Sequence, residues 1–541
     1  MSLQDRIFDD LTSSSLNNLS NSKPVISCSC LFVFFFLLLP YLLIAIYRSR
    51  TRSSYNYFKY KCRELPPGPP PLPIIGSLHE LFGQVIHISL RRLSKEHGPL
   101  MHLQLGQTSA VVASSLEVAS EILRTQDTVF CSRPRLSAVT HFSYGGLDIG
   151  ASPYGESWKK LRRFGSNKMF NPGKVQSFSF IREEEVDVMV GSINKSSLQG
   201  KLINLSEIAL CLFNNITYRE VFSKRVSADG ECLLSPHHGL IRRMMTLMTE
   251  FNVKDFFPLF WWVDFLTGWW FKVEKRFREM DRIFEKEIEL RLRQKSSNVC
   301  YGDFLDDLLK RQDEMDPSLG YLFSRKEIKA LLMDMFLGGT DTSSVTLEWG
   351  MTELIKNPAA MKKAQKEVRR VAGNKGKVEE SDMEQLPYLK MVVKETLRLH
   401  PPTTLLAPRE SMKDTKIHGY DIPAKTLVII NAWAIGRDSR YWDEPDVFRP
   451  ERFEDKNVTF KGNHFEFIPF GSGRRICPGM ALGLASIELA FANILYSFDW
   501  ELPSGMAEND VDMEERFGLS THKKKPLCLF ATPAAIASLC M

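Results

Sequence analysis

The hydrophobic and polar positions of this chain fall into two regimes. Residues 25–47 (VISCSCLFVFFFLLLPYLLIAIY) carry no charge. A run of that length is just enough to cross a bilayer core, which takes about 20 residues in a helix. From about residue 74 onward the pattern is that of one domain rich in helix, with a smaller strand component. Leu100–Leu105 and Ser109–Ala113 look like short strands split by Gly106, and Leu116–Thr125 and Glu156–Lys168 look helical. Arg325–Asn357 is the longest helical pattern and is stopped by Pro358. Tyr388–Leu399 and Met480–Phe498 are further helices. The expected fold class is mainly α with a small β component.

A basic stretch follows the apolar run: Arg48, Arg50, Arg52, Lys59, Lys61 and Arg63. Basic flanks stay in the cytosol, so residues 1–24, with Asp5, Asp9 and Asp10 against Arg6 and Lys23, face the lumen. A cleaved signal peptide is the competing reading. Against it, the run is long and no small-residue cleavage site follows. Residues 66–73 (PPGPPPLP) then stiffen the chain into an extended spacer. The expected organisation is a short tail at 1–24, a transmembrane anchor at 25–47, a basic and proline-rich hinge at 48–73 and one domain at 74–541.

The 541 residues leave a large core once the tail is set aside. A net charge of +6 is mild for that length and does not point to nucleic acid. The ten cysteines lack paired spacing, which argues against a disulfide framework and for a reducing compartment. Gly145-Gly146 and Gly338-Gly339 lack the further glycines and strand context of a dinucleotide fingerprint. Any redox chemistry here draws its electrons from another protein.

Cys477 carries the strongest chemical signal. It lies in Phe470-Gly471-Ser472-Gly473-Arg474-Arg475-Ile476-Cys477-Pro478-Gly479, just ahead of a helix-forming run. The turn exposes the sulfur, and the N–H groups and dipole of the helix start favour its negative charge. No second Cys or His in the loop supports a zinc site. A single axial thiolate suits haem iron, where it favours O–O cleavage. Standing alone, a cysteine in a buried loop is more often a small hydrophobe.

Other motifs are weaker when read singly. Trp158 and Arg162, four apart on one helix face, make a clamp for a carboxylate, although a surface aromatic–cation pair is the commoner explanation. Gly338-Gly339-Thr340-Asp341-Thr342-Ser343 sits mid-helix, where each glycine costs about 1 kcal/mol. Either the helix is capped there, or a thin backbone makes room for a small ligand beside an acid and a hydroxyl that relay protons. Glu395 and Arg398 are three apart on a helix whose apolar neighbours leave their burial undecided.

Together these motifs resemble the haem-thiolate monooxygenases of the cytochrome P450 family. The chain has the family's F-x-x-G-x-R-x-C-x-G, [AG]-G-x-[DE]-T-[TS], E-x-x-R and Pro-Glu-Arg-Phe elements, in the expected order over roughly residues 65–532. The resemblance implies the P450 haem-thiolate fold behind an N-terminal transmembrane helix. It makes Cys477 the axial ligand of haem b, with Phe470 in the same signature. Trp158, Arg162, Arg409 and Arg475 become propionate binders, and Asp341 and Thr342 the proton relay. Glu395, Arg398 and Arg452 become a structural triad. It puts Leu136–Ala151, Phe336, Thr403, Thr404, Leu405, Leu406 and Leu519 near the substrate.

The anchor, the proline hinge and the wording around Pro450 and Phe470 look like the plant endoplasmic-reticulum members. That implies a single-pass membrane protein with its catalytic domain in the cytosol. Electrons come from NADPH through a separate cytochrome P450 reductase, with Lys159, Lys160, Arg163, Lys168 and Arg474 as a candidate docking face. O2 is the co-substrate, and a hydrophobic specialised metabolite (terpenoid, alkaloid or phenolic) is the substrate. The aromatic run at 256–271 is a candidate membrane-surface element or a piece of core. The alternatives are the same haem core directed to desaturation, ring closure or C–C cleavage, and a non-catalytic haem sensor.

Overall fold

Strand pairing follows the sequence pattern closely. β1 (Leu100–Leu105) and β2 (Thr108–Ala113) form an antiparallel hairpin. Two distant segments complete the sheet: β3 (Arg409–Glu410) and β4 (Leu427–Ile430), in the order β1-β2-β4-β3. β4 lies parallel to β2 and antiparallel to β3. A smaller hairpin near the C-terminus pairs β5 (Glu515–Arg516) with β6 (His522–Lys523). These positions come from a computed structural model that describes residues 63–225, 236–294, 301–314, 320–454 and 456–535. The tail at 1–24 and the anchor at 25–47 lie outside the described residues.

The compact unit begins at Glu64. The proline run expected as a spacer is docked along the free edge of β1, where the His102 N–H donates to the Pro67 carbonyl at 2.8 Å. Glu64 is tied to Asp421, whose backbone N–H donates to the Glu64 carbonyl at 2.7 Å.

The helices that position the site are α1 (Glu156–Phe164), α2 (Leu205–Phe222), α3 (Pro236–Thr249), α4 (Arg325–Gly339), α5 (Asp341–Lys356), α6 (Pro387–Leu399) and α7 (Met480–Ser497). Ser324 starts α4 through a reciprocal capping box with Glu327. The sequence predicts one helix over 325–357; α4 and α5 instead meet at Thr340. That residue keeps right-handed helical torsions (φ −87°, ψ −62°) and its side chain caps nothing. The long helix is therefore loosened at its glycines rather than stopped and restarted. Pro358 ends α5 and opens the next helix, Pro358–Ala372.

α5 is buried along nearly its whole length. It packs against α6 and α7 so closely that a Cβ on Gly350 would lie 2.3 Å from Cζ of Phe491. Every residue of α7 from Leu489 to Ser497 is buried, which accounts for a helix as apolar as a membrane span inside the core.

Candidate active site

The motifs converge on one cavity of about 1140 Å3. Cys477, Phe470, Gly338, Thr342, Thr403, Thr404, Leu405, Leu406 and Leu519 all line it. The Cys477 turn is closed by its own N–H, which donates to the Phe470 carbonyl at 3.0 Å. Gly473 has φ +69°, and a Cβ there would fall 2.3 Å from the Leu123 carbonyl oxygen. Only glycine allows that approach. Asp127 anchors the same turn, accepting from the Arg474 guanidinium at 2.8 Å and from Arg409 at 3.0 Å. Burial pushes the Cys477 thiol upward, while the Gly479 N–H and the Arg162 charge pull the other way. A thiolate at this point gains most from a metal cation.

Guanidinium groups gather around the Cys477 turn. Arg475 donates to the carbonyls of Cys131 (2.7 Å), Ile149 (3.2 Å) and Ser152 (2.6 Å). Arg162 donates to the Ile476 carbonyl at 2.7 Å. Arg409 donates to the Ser472 carbonyl at 2.7 Å. Arg133, which the sequence reading missed, donates to Gly150 and Pro408 at 2.9 and 2.8 Å. Burial holds Arg133 well below the ordinary arginine range, and Arg475 and Arg409 depress it further. Burial likewise brings Arg475 down to about 10. Cations that weaken one another in a desolvated wall are set to receive a multiply charged anion.

Trp158 stands behind this wall. Its indole N–H donates to the Ile149 carbonyl, and its ring lies 4.0 Å beneath Arg475. It does not line the cavity, so here it supports an arginine.

On the opposite wall, Thr342 Oγ1 donates to the Gly338 carbonyl at 2.7 Å. No atom lies within 4 Å of a Cβ built on Gly338, so a side chain there would project into the cavity. Asp341, the other half of the expected relay, turns away from the cavity. Its Oδ2 lies 3.0 Å from Nε2 of His522 on β6. Burial raises the Asp341 carboxyl, but the charge and hydrogen bond of His522 outweigh it and hold the group below its usual range.

Phe336 is also off the cavity wall. Its ring packs against Tyr218, Phe222 and Phe284 at 5.8, 5.7 and 5.7 Å. Leu331, Asp334, Met335 and Gly338 form the helical stripe that does face the cavity. Asp334 and Asp148 both line it, and neither was singled out from the sequence. Asp334 accepts the Ile149 N–H at 2.7 Å and Asp148 accepts that of Ala151 at 3.1 Å, clasping 148–151 to α4. Burial lifts Asp148 to about 6 and lifts Asp334 well above the carboxylate range, as expected for two acids sharing a proton.

The triad lies apart from the cavity. Glu395 receives Arg398 twice at 2.7 Å and Arg452 at 2.8 Å, all three buried. The two arginines also donate to the carbonyls of Gly436, Pro445, Asp443, Glu444 and Val447. That grip holds the loop leading to the Pro450 turn.

The family model for cytochrome P450 matches residues 66–530. The chain belongs to the cytochrome P450 family. Among its relatives, this P450 is 46% identical over 460 residues to "Cytochrome P450 71A1" of Persea americana, covering 84% of this chain and 91% of that one. It is 44% identical over 476 residues to 5-epiaristolochene 1,3-dihydroxylase of Nicotiana tabacum (87% and 93% covered). It is also 44% identical over 478 residues to strychnine-11-hydroxylase of Strychnos nux-vomica (88% and 93% covered). A zebra fish cytochrome P450 solved with progesterone superposes with a TM-score of 0.70 at 25% identity, over 83% of this chain and 99% of that one. This P450 is a monooxygenase of the plant A-type group.

P450s carry haem b and take electrons from a redox partner. The residues here fit that cofactor. One thiol faces the cavity, Arg133, Arg162 and Arg475 donate only to main-chain carbonyls in the bonds described above, and apolar side chains such as Phe470, Leu406 and Leu482 provide walls for the ring. Cys477 would hold the iron, and the arginines would meet the two propionates.

Proposed function

We propose that this P450 inserts one atom of O2 into a small hydrophobic plant specialised metabolite, with terpenoids, alkaloids and phenolics as the substrate classes. The observation that carries the reading is the placement of Cys477 and Thr342 on the walls of one largely apolar cavity. Haem b bound at Cys477 supplies the O2-activating iron, with electrons from NADPH delivered by a separate cytochrome P450 reductase. Thr403 and Thr404 add hydroxyls to a wall otherwise made by side chains such as Leu405, Leu406 and Leu519. Thr342, whose hydroxyl proton is given to Gly338, keeps lone pairs with which to accept and hold a proton source. Asp341 is the acid that feeds it. The named activities of the tobacco and Strychnos relatives, hydroxylation of 5-epiaristolochene and of strychnine, support a small specialised metabolite as substrate.

The uncharged run at 25–47 supports an anchor in the endoplasmic-reticulum membrane, with the catalytic domain on the basic, cytosolic side. Leu72, Ile74, Phe82, Trp261, Leu266 and Phe271 are exposed apolar side chains, and Phe82, Phe251 and Trp261 also line the cavity. A lipophilic substrate would pass from the bilayer through that apolar rim. Reductase docks beside the Cys477 turn, where α1 is joined by Arg162 and Lys159, Arg163, Lys168 and Arg474 are exposed.

A titration of terpenes, alkaloids and flavonoids tests the reading, scored by the Soret shift after the reduced carbon monoxide spectrum has been verified. Turnover with reductase and NADPH then yields a product one oxygen heavier. Loss of two hydrogens would instead assign desaturation or ring closure, and a bound ligand that is never converted would leave a haem sensor. Haem-loaded protein without a thiolate-type spectrum would overturn the assignment of Cys477.

A further inference from the structure

The β5–β6 hairpin reaches the site twice. Its tip, Phe517–Leu519, lines the cavity. Three residues beyond Leu519, His522 Nε2 lies 3.0 Å from Asp341 Oδ2. The Asp341 side chain is 1% exposed, whereas His522 keeps 14% of its surface open. Among the described residues, His522 is the hydrogen-bond partner that joins this carboxylate to solvent. The second carboxylate oxygen, Oδ1, and Thr340 Oγ1 are buried with no hydrogen-bond partner of ordinary geometry, and Ser520 on the same hairpin adds a smaller pull on the Asp341 charge. His522 is the largest of the partners that hold the Asp341 charge. The charged groups around the pair are Glu348 on α5, Arg516 on β5, Arg242 on α3 and the neighbouring Lys523.

We propose that His522 is a positioning residue that resupplies Asp341 with protons. Protonated at Nε2, it gives that proton to Asp341 Oδ2 and becomes neutral. It then takes up another proton from water at its exposed edge. Asp341, now a neutral acid, is released from the ion pair and turns toward Thr342. This rests on the relay reading of Asp341 and Thr342 above. It also places substrate contact and proton resupply on one short hairpin.

The test uses full-length, haem-loaded enzyme with its reductase. His522→Gln keeps a hydrogen bond but carries no charge. His522→Arg keeps an ion pair but does not release its proton. Both should retain the thiolate-type carbon monoxide spectrum. Both should lower product formed per NADPH about tenfold, a modest share of what a positioned acid contributes. Both should also flatten its variation with pH.

A readout independent of turnover is acid unfolding of the ferric holoenzyme. Asp341 sits below its usual range when folded, so its stabilisation is present at higher pH and is lost as the pH falls. His522→Gln should move that loss to higher pH, and His522→Arg should not. Normal coupling in the arginine variant alone would reduce His522 to a strut. Normal coupling and pH profile in both, with Asp341→Asn impaired, would remove His522 from the path. Normal coupling in Asp341→Asn and Thr342→Ala would refute the relay itself.

Discussion

The Arg475 guanidinium lies 4.0 Å over the Trp158 ring, and both residues donate to the carbonyl of Ile149, at 3.2 and 3.0 Å. Trp158 thus fixes the arginine from behind. Trp158→Phe keeps the ring and loses one hydrogen bond, costing about 1 kcal/mol. Trp158→Ala opens a cavity under Arg475 and costs about 4 kcal/mol. Haem content per protein and denaturant unfolding read both, and equal haem retention in the two variants would contradict the supporting role.

Gly350 leaves no room for a methyl group against Phe491 and Thr396. Gly350→Ala should overpack the junction of α5, α6 and α7 and cost about 2 kcal/mol. Pairing it with Phe491→Leu should recover part of that loss in equilibrium unfolding. No recovery would assign the clash to Thr396 Oγ1 instead of Phe491.

Removing Glu395 leaves Arg398 and Arg452 buried without their carboxylate. Glu395→Ala should destabilise by about 4 kcal/mol. Glu395→Gln, which still accepts hydrogen bonds, should retain more of the thiolate-type carbon monoxide spectrum. Equal spectra for the two variants would show that the charge is what matters.

The Asp148–Asp334 pair makes stability depend on pH in a stated direction. Asp148 titrates near 6 in the folded protein against an ordinary value of 3.8, because burial disfavours its charge. A raised folded value means that the stabilisation is fully present below the unfolded value and is lost as pH rises through the folded one. Stability should therefore decline between about pH 4 and pH 6. Asp148→Asn should flatten that decline in thermal unfolding midpoints; an unchanged slope would place the shared proton elsewhere.

Thr342→Ala removes a cavity-facing hydroxyl and nothing from the core. Product formation should fall by about a hundredfold if the hydroxyl holds the proton source, with peroxide rising in its place. The Soret titration with substrate should be unchanged. Undiminished product would sink the role given to Thr342.

Much of the site was legible because its parts are local. The Cys477 turn, the Glu395–Arg398 spacing and the Thr342 step each lie within a few residues, where helix and turn geometry bring side chains together. The two β-strands were legible because Gly106 punctuates them. What stayed hidden depends on distant pairings. Arg133 meets Arg475 only through tertiary packing, and His522 meets Asp341 across 181 positions of sequence. Phe336 read as a cavity residue because its helix borders the cavity, and only the helical phase puts it on the other side.

That phase has an evolutionary consequence. Leu331 and Met335 both line the cavity and pack in the surrounding core, whereas Leu332 and Phe336, one residue on, lie in that core without reaching the cavity. Descendants of this sequence can exchange the first pair and acquire a new diet of substrates while the second pair keeps the helix seated. Novelty and heritability of the fold thus share one helix, and drift at the cavity-lining pair is bounded by what the surrounding core will pack.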